Sequence, residues 1–347
     1  MEQKVDKRIF TKNLFFYFLL IIIAVLVFLK FSKIQEVLKL FLTIKPFWFL
    51  LAILAQGATY FFVAQAYFYI LKIYHCDKLF SKWELFKLSI IILFVSQTIP
   101  SGGVSGNGFL VHYLEKNDIK YNNGLSIAIL ERFTYYLTHL LFLVLSFFYV
   151  IILLHQTIGK YLLAVGILGA LIFIVIDIVL LLFGSKKVMA YLEAKIQNHK
   201  LLNYLFNKAK IRSSSYTETK DWDSPLAVVK SKNKFLLSSL FWQSMIILSD
   251  TMTIVFLFIG FNFHPVFYGV LIGFILTKIV SMLSIIPGSL VFFEGAMVLF
   301  YSAFGIPVAI AVVVTLLFRV LSFWIPIAPG LFLYKNINHH KKHLNQV

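Results

Sequence analysis

The stretch Ile99-Pro100-Ser101-Gly102-Gly103-Val104-Ser105-Gly106-Asn107-Gly108 aligns without gaps on Ile286-Pro287-Gly288-Ser289-Leu290-Val291-Phe292-Phe293-Glu294-Gly295, and in the same register Arg132 falls on Arg319. Each copy runs from a Pro/Gly break to an arginine set in an apolar helix, at one fixed spacing. Two interrupted apolar segments in corresponding halves of a chain mark an internal repeat, and in membrane proteins the interruptions point to a transported substrate's site. Isolated kinks would explain the prolines and glycines, which are common in membrane helices. They would not explain the shared register with an arginine.

Of the 347 residues, 60% are hydrophobic and 14% charged, whereas a soluble globular chain is nearer half apolar and a quarter charged. The apolar runs cover nearly the whole length, so the chain reads as one integral membrane domain over 1–347. It divides into a first half (1–183), a basic loop (184–234), a second half (235–334) and a basic tail (335–347). A formal net charge of +17 could suggest nucleic acid, but the lysines fall between apolar runs and not along a basic stripe. They read as topology signals and contacts to anionic lipid, and no nucleic-acid partner is expected. Cys76 is the chain's single cysteine and cannot form an internal disulfide. At the N-terminus, Lys4, Lys7, Arg8 and Lys12 precede the run Leu14 to Leu29, after which no small-residue cleavage site follows, so this reads as a retained first span.

About 20 apolar residues cross the roughly 30 Å of hydrocarbon in a bilayer. Runs of that order lie at about 10–29, 46–71, 124–154, 161–183, 235–260 and 305–334. Leu85 to Ile99 is too short, breaks at Pro100 and returns through Phe109 to Leu114; Phe267 to Ile286 breaks at Pro287 and returns through Ala296 to Phe304. The fold class expected is therefore an all-α polytopic membrane protein with about six full spans and two re-entrant or broken helical hairpins in an inverted repeat. Charge supports the hairpin reading. With the N-terminus inside, it places the 184–234 loop inside too, and that loop carries eleven basic residues against four acids, 11 − 4 = +7. The outer 30–45 segment, with four lysines, runs against the pattern. Both termini are then cytoplasmic. The hairpins enter from opposite faces and their tips meet near the midplane, where unpaired backbone groups require protein or a water-filled cavity around them.

Seven charged residues sit inside apolar stretches: Glu131, Arg132, Asp177, Asp250, Lys278, Glu294 and Arg319. A charge at the bilayer centre costs at least about 2.5–3.5 kcal/mol, so such groups face the interior and pair with one another. The candidate substrate-binding or translocation residues are Pro100, Gly102, Asn107, Glu131, Arg132, Asp250, Lys278, Pro287, Gly288, Glu294 and Arg319. Asp177 stands nearer the end of its run and is the weakest of the charges as a candidate. Arginine suits a phosphate, since its planar guanidinium forks two donors onto anionic oxygens. Helix N-termini after Pro100 and Pro287 would add backbone donors, and Glu294 and Asp250 would balance the two arginines or take up protons. No phosphate-loop motif, H-E-x-x-H or cysteine pair is present, so no cofactor or metal is expected. His339, His340 and His343 read as part of a solvated tail.

Pro287-Gly288-Ser289-Leu290-Val291-Phe292-Phe293-Glu294 resembles the P-G-G-x-G-x-x-E motif of the lysylphosphatidylglycerol synthase transmembrane-region family, the flippase-like integral membrane proteins. Arg319, Asp250 and the earlier break at Pro100 are similar to that family as well. Ser289 and Val291 stand where the motif has glycines, and Gly108, Phe109 and Leu110 stand where the first break of the family usually has charged residues. The resemblance implies a membrane region that moves a lipid, such as an aminoacylated phosphatidylglycerol, between leaflets. In the bifunctional members it accompanies a soluble synthase domain, for which this chain has no room.

The function expected is translocation of a polar or phosphate-bearing lipid between leaflets of a bacterial or archaeal cytoplasmic membrane, the headgroup lying between the two broken hairpins. Membrane lipids are the expected partners, and the reading leaves room for a homo-oligomer. The alternative is a non-transporting protein that binds a lipid or organises an envelope-glycolipid pathway. No nucleophile–base arrangement stands out, so an enzyme is not expected.

Overall fold

A computed structural model describes residues 43–99, 104–155, 159–183, 224–231, 233–284 and 287–344. The expected first span, the centre of the basic loop, Pro100 and Gly102 lie outside the described residues. The described chain is helical, and no strand occurs in it. In order the helices are α1 (Pro46–Ile73), α2 (Lys82–Thr98), α3 (Val104–Glu115), α4 (Tyr121–Phe148), α5 (Lys160–Phe183), α6 (Pro225–Ser231), α7 (Asn233–Gly260), α8 (Phe267–Leu283), α9 (Phe292–Ala303), α10 (Val308–Arg319) and α11 (Ile325–Leu344). Five described stretches are long and apolar enough to cross a membrane: Pro46–Ile73, Tyr121–Leu153, Lys160–Leu182, Lys234–Gly260 and Val308–Lys335. The chain is an all-α polytopic membrane protein.

Local chemistry sets the element ends. Pro46 opens α1, where a missing N–H costs nothing. Ser81 and Glu84 form a reciprocal capping box at the start of α2. Ile99, the residue before Pro100, is extended, because the proline ring disfavours helical backbone in its predecessor. The last 17 residues before each break and the 12 after it are helical in both copies, since α2 and α8 have 17 residues each and α3 and α9 have 12 each.

The offset between the two sequence copies carries through the helices. Arg319 follows Arg132 by 319 − 132 = 187, α7 begins 233 − 46 = 187 after α1, and α10 begins 308 − 121 = 187 after α4. Helices α1 and α7 both have 28 residues. They pack against each other antiparallel: Lys45 N–H donates to the Gly260 carbonyl at 2.9 Å, and Ser249 Oγ to the Ala55 carbonyl at 2.6 Å. Alanine, serine and threonine at Ala52, Thr59, Ala64, Ser239, Thr251 and Thr253 are buried on this pair, and small side chains let backbones approach without a hydrophobic drive.

Each hairpin has its own core, at opposite ends of the α1–α7 pair. Ile70, Leu71 and Ile73 near the end of α1 join Leu85 and Leu88 of α2, Leu110 and Leu114 of α3 and Leu130 of α4. Ile254, Leu257 and Phe258 near the end of α7 join Val270 and Phe274 of α8, Met297 and Tyr301 of α9 and Val314 of α10. The hairpins therefore approach along the α1–α7 axis from opposite ends, which is the inverted arrangement expected from the sequence. The last part of the basic loop is helix α6, whose Pro225 and Val228 are buried, and the basic tail continues α11 as helix through Leu344.

Candidate functional site

The hairpin tips come together. Ser96, Gln97 and Ile99 at the end of α2 share a cavity of about 180 Å³ with Ser281, Met282 and Ser284 at the end of α8 and with Gly288 and Ser289 of the second break. A second cavity of about 230 Å³ continues toward α1 and α7, lined among others by Gln56, Tyr60, Tyr67, Gln243 and Asp250. Ser96, Gln97, Arg132, Tyr135, Lys278, Phe293 and Arg319 belong to both walls, so the two spaces adjoin.

Three ion pairs bound this region. Arg132 Nε lies 3.0 Å from Glu131 Oε2, Lys278 Nζ 3.9 Å from Asp250 Oδ2, and Arg319 Nε 2.6 Å from Glu294 Oε1. They are not equivalent. Arg132 and Glu131 are consecutive on α4 and do not face each other; neither Arg132 Nε nor Glu131 Oε2 has an aligned hydrogen bond despite the short distance. The side chain of Arg132 is 22% exposed against 7% for Glu131, and that of Lys278 is 28% exposed against 9% for Asp250. In both pairs the cation is the more exposed partner and lines both cavities, while the acid lines the larger one alone. Around Asp250, Gln56 Nε2 donates at 3.3 Å and Thr59 Oγ1 at 3.0 Å, both from α1. Gln243 of α7 hydrogen-bonds Glu131.

Arg319 is held differently. Its Nε donates to Glu294 and its Nη2 to the Gly288 carbonyl, each at 2.6 Å, and its guanidinium lies 4.6 Å from the Phe293 ring centre and 4.3 Å from that of Phe323. Here the arginine is the covered partner, 8% exposed against 21% for Glu294. It ties α10 to the second break. Immediately beyond it the helix widens into a π segment, Val320–Trp324, and two of its carbonyls accept side-chain donors: Leu321 from Tyr60 Oη at 3.0 Å and Ser322 from Gln97 Nε2 at 3.3 Å. A π-bulge is frequent at functional sites.

The second break is strained. Gly288, Ser289 and Val291 have φ of 58°, 53° and 73°, in the left-handed region that favours glycine. The two glycines that the resembling motif carries and this chain lacks are at Ser289 and Val291. In the first hairpin the close approach is at Gly106, where a Cβ would stand 2.0 Å from Ser96 Oγ and 2.8 Å from the Ile92 carbonyl.

The structure thus brings Arg132, Glu131, Asp250, Lys278, Gly288 and Arg319 around one region, with Glu294 behind Arg319, and Pro287 begins the turn that carries Gly288. Asn107 does not line it; its Oδ1 is buried on α3 without a partner. Asp177 on α5 is also apart, both carboxylate oxygens buried and unpartnered. One expectation changes: Asp250 pairs with Lys278 and not with an arginine, because α8 places the lysine beside it. The C-terminal ends of α2 and α8 line the space, and among the described residues of α3 and α9 Phe293, in the first turn of α9, joins them. Sequence reasoning missed Gln56, Gln97, Gln243 and the tyrosines 60, 67 and 135. The repeat could have found one pair, since 243 − 56 = 187.

Comparison with known proteins agrees with this architecture. The chain is 24% identical over 331 residues to UPF0104 membrane protein PH1989 of Pyrococcus horikoshii, covering 92% of this chain and 97% of the relative. It is 24% identical over 334 residues to UPF0104 membrane protein MJ1595 of Methanocaldococcus jannaschii, covering 95% of each. The model of the lysylphosphatidylglycerol synthase TM region matches residues 15–330. With that match spanning both hairpins, both arginines and the helices between them, the chain belongs to the family of the lysylphosphatidylglycerol synthase transmembrane region.

Proposed function

We propose that this protein translocates a phosphate-bearing lipid between leaflets, the headgroup passing through the cavity between the hairpin tips while the acyl or isoprenoid tails stay in the bilayer. The observation that carries this reading is the arrangement of charge at the cavity wall: Arg132 and Lys278 line both cavities and are more exposed than their acids, which line the larger one alone. A guanidinium forks two donors onto anionic oxygens, and the neighbouring ammonium adds a second positive centre. Arg319 sets the shape of the second tip, and the inverted repeat gives two related routes to one site, as in transporters that alternate access. On this reading the basic segments and both termini are cytoplasmic, the whole chain is one membrane domain, and its partners are lipids.

The test is translocation of fluorescent phosphatidylglycerol in proteoliposomes, read by chemical quenching of the outer leaflet. Arg132→Gln and Lys278→Gln should each lower the rate at least about tenfold at equal folded protein, since a charge-assisted contact is worth about 1.5–3 kcal/mol. Parental rates in both variants would refute the headgroup site.

A further inference from the structure

The face at which α1 ends and α2 and α7 begin gathers cations away from acids. Lys72 stands in the last turn of α1, Lys82 opens α2 and Lys234 is in the first turn of α7. The Nζ atoms of Lys72 and Lys82 lie 5.9 Å and 5.8 Å from the centre of one ring, Phe68, and that of Lys72 also lies 5.5 Å from the ring of Phe235 on α7. Two ammoniums are thus collected on one ring. An aromatic face attracts a cation but leaves its charge and its three N–H donors in place. Among the described residues none of the three lysines forms an ion pair, and Glu84, in the first turn of α2, is engaged by the Ser81 N–H at 2.7 Å.

Below these charges the seam between α1 and α7 is apolar and open. Phe61, Phe68 and Lys72 recur at spacings of seven and four, which is one stripe of α1, and Lys234, Leu237 and Phe241 at three and four, one stripe of α7. Phe61, Leu237 and Phe241 are 47%, 68% and 54% exposed. Trp242 joins the two helices, its ring centre 6.3 Å from that of Phe61 and 5.7 Å from that of Phe62. From Lys72 to Phe61 the chain runs 72 − 61 = 11 residues, about 16 Å at 1.5 Å per residue and close to the depth of one leaflet. An exposed apolar stripe alone is ordinary contact with lipid tails. Unpaired cations at its head add a preference for negative charge.

We propose that this seam holds an anionic phospholipid on the outside of the protein, its phosphate met by Lys72 and Lys82 and its acyl tails lying along Phe61, Leu237 and Phe241. The site is separate from the space between the hairpin tips, since none of these residues lines either cavity. Its lipid is retained and not carried. A phosphate there relieves the repulsion between the two ammoniums and ties the end of α1 to the start of α2, while Phe235 brings in α7. The proposal needs the membrane architecture and not the transport reading.

The experiment reads the fluorescence of Trp242 in vesicles, with the other four tryptophans of the full-length protein replaced by phenylalanine. Quenching by phosphatidylglycerol brominated in its tails and diluted into phosphatidylcholine is compared with quenching by brominated phosphatidylcholine diluted into phosphatidylglycerol. The two curves give the preference of the seam for the anionic lipid. That preference should be about 25-fold, about fivefold for each of the two lysines. Lys72→Gln and Lys82→Gln should each lower it about fivefold, and Arg132→Gln should leave it unchanged. Equal quenching by the two lipids, or a preference that survives both lysine changes, would overturn the site. A preference lost in Arg132→Gln would also overturn it and move the lipid into the cavity. Should the single-tryptophan form not fold, native mass spectrometry of the protein with all its tryptophans makes the same comparison. Lys72→Gln and Lys82→Gln together should then remove one retained phosphatidylglycerol, in the parent and in Arg132→Gln alike, and equal retention would overturn the site. Seam preference without translocation would uphold this site and defeat the transport reading, and translocation without seam preference the reverse, so the two fail separately.

Discussion

The repeat places Arg132 and Arg319 in equivalent positions, and the structure gives them different work, which Arg319→Lys separates from Arg132→Lys. The Arg319 guanidinium makes two charge-assisted hydrogen bonds, to Glu294 and to the Gly288 carbonyl, and lies between the rings of Phe293 and Phe323. A lysine ammonium in the same place keeps the charge but reaches one of those partners at a time. One charge-assisted bond is worth about 1.5–3 kcal/mol and the lost planar contact with the rings about 0.5–1 kcal/mol, giving a destabilisation of about 2–4 kcal/mol. Arg319→Ala should cost more, because it also strands the Glu294 carboxylate. Arg132 has no aligned bond to lose through Nε, so Arg132→Lys should leave stability nearly parental and lower translocation instead. The assay pairs thermal unfolding in detergent with translocation per folded molecule. A parental melting temperature for Arg319→Lys, with translocation lost, would refute the assignment of Arg319 to the fold and make it a ligand contact.

Three further outcomes follow from the fold. With Cys76 replaced, single cysteines at Lys116 and His264 should label from opposite membrane faces, and at Lys45 and His264 from the same face; Lys116 and His264 labelling together would dissolve the inverted arrangement. Cys76 itself is a poor background target, since burial, with Asp77 beside it, pushes its thiol above the usual value. Val291→Gly should raise the melting temperature, because a β-branched residue at φ 73° pays about 1–2 kcal/mol that glycine avoids, whereas Ser289→Gly should be near neutral because it also gives up the 2.6 Å bond from Ser289 Oγ to the Ser281 carbonyl. Gly106→Ala should lower folded yield, since its Cβ would press on the Ile92 carbonyl at 2.8 Å, which cannot swing aside as the Ser96 hydroxyl can.

Much of the architecture was legible because the bilayer enforces it. A run too short to cross and broken at Pro100 has few solutions, and α2 and α3 form the hairpin that those residues imply. The fixed spacing from each break to an arginine extended into equal helix lengths, since a duplicated segment keeps its register. Pairing was less legible. Lys278 and Asp250 lie on α8 and α7, and only packing brings them together. Asn107 occupies the repeat position of Glu294, 294 − 107 = 187, yet its Oδ1 has no partner where Glu294 pairs with Arg319, and the equivalence of Arg132 and Arg319 ends at their partners. Gln56 and Gln243 were hidden because a neutral amide barely interrupts an apolar run. Their spacing was the available signal, and the antiparallel packing of α1 on α7 explains it: each amide crosses to an acid on another helix, Gln56 to Asp250 and Gln243 to Glu131.

That the substrate passes between the two tips is tested most directly by closing the gap. Gln97→Cys and Ser289→Cys, in a protein lacking Cys76, place one thiol on each side of the smaller cavity. Joined by a cleavable bifunctional maleimide and reconstituted, the cross-linked protein should translocate phosphatidylglycerol at the protein-free background rate and recover after the linker is cut. A fully cross-linked protein that translocates at the rate of its uncross-linked form would contradict passage between the hairpins.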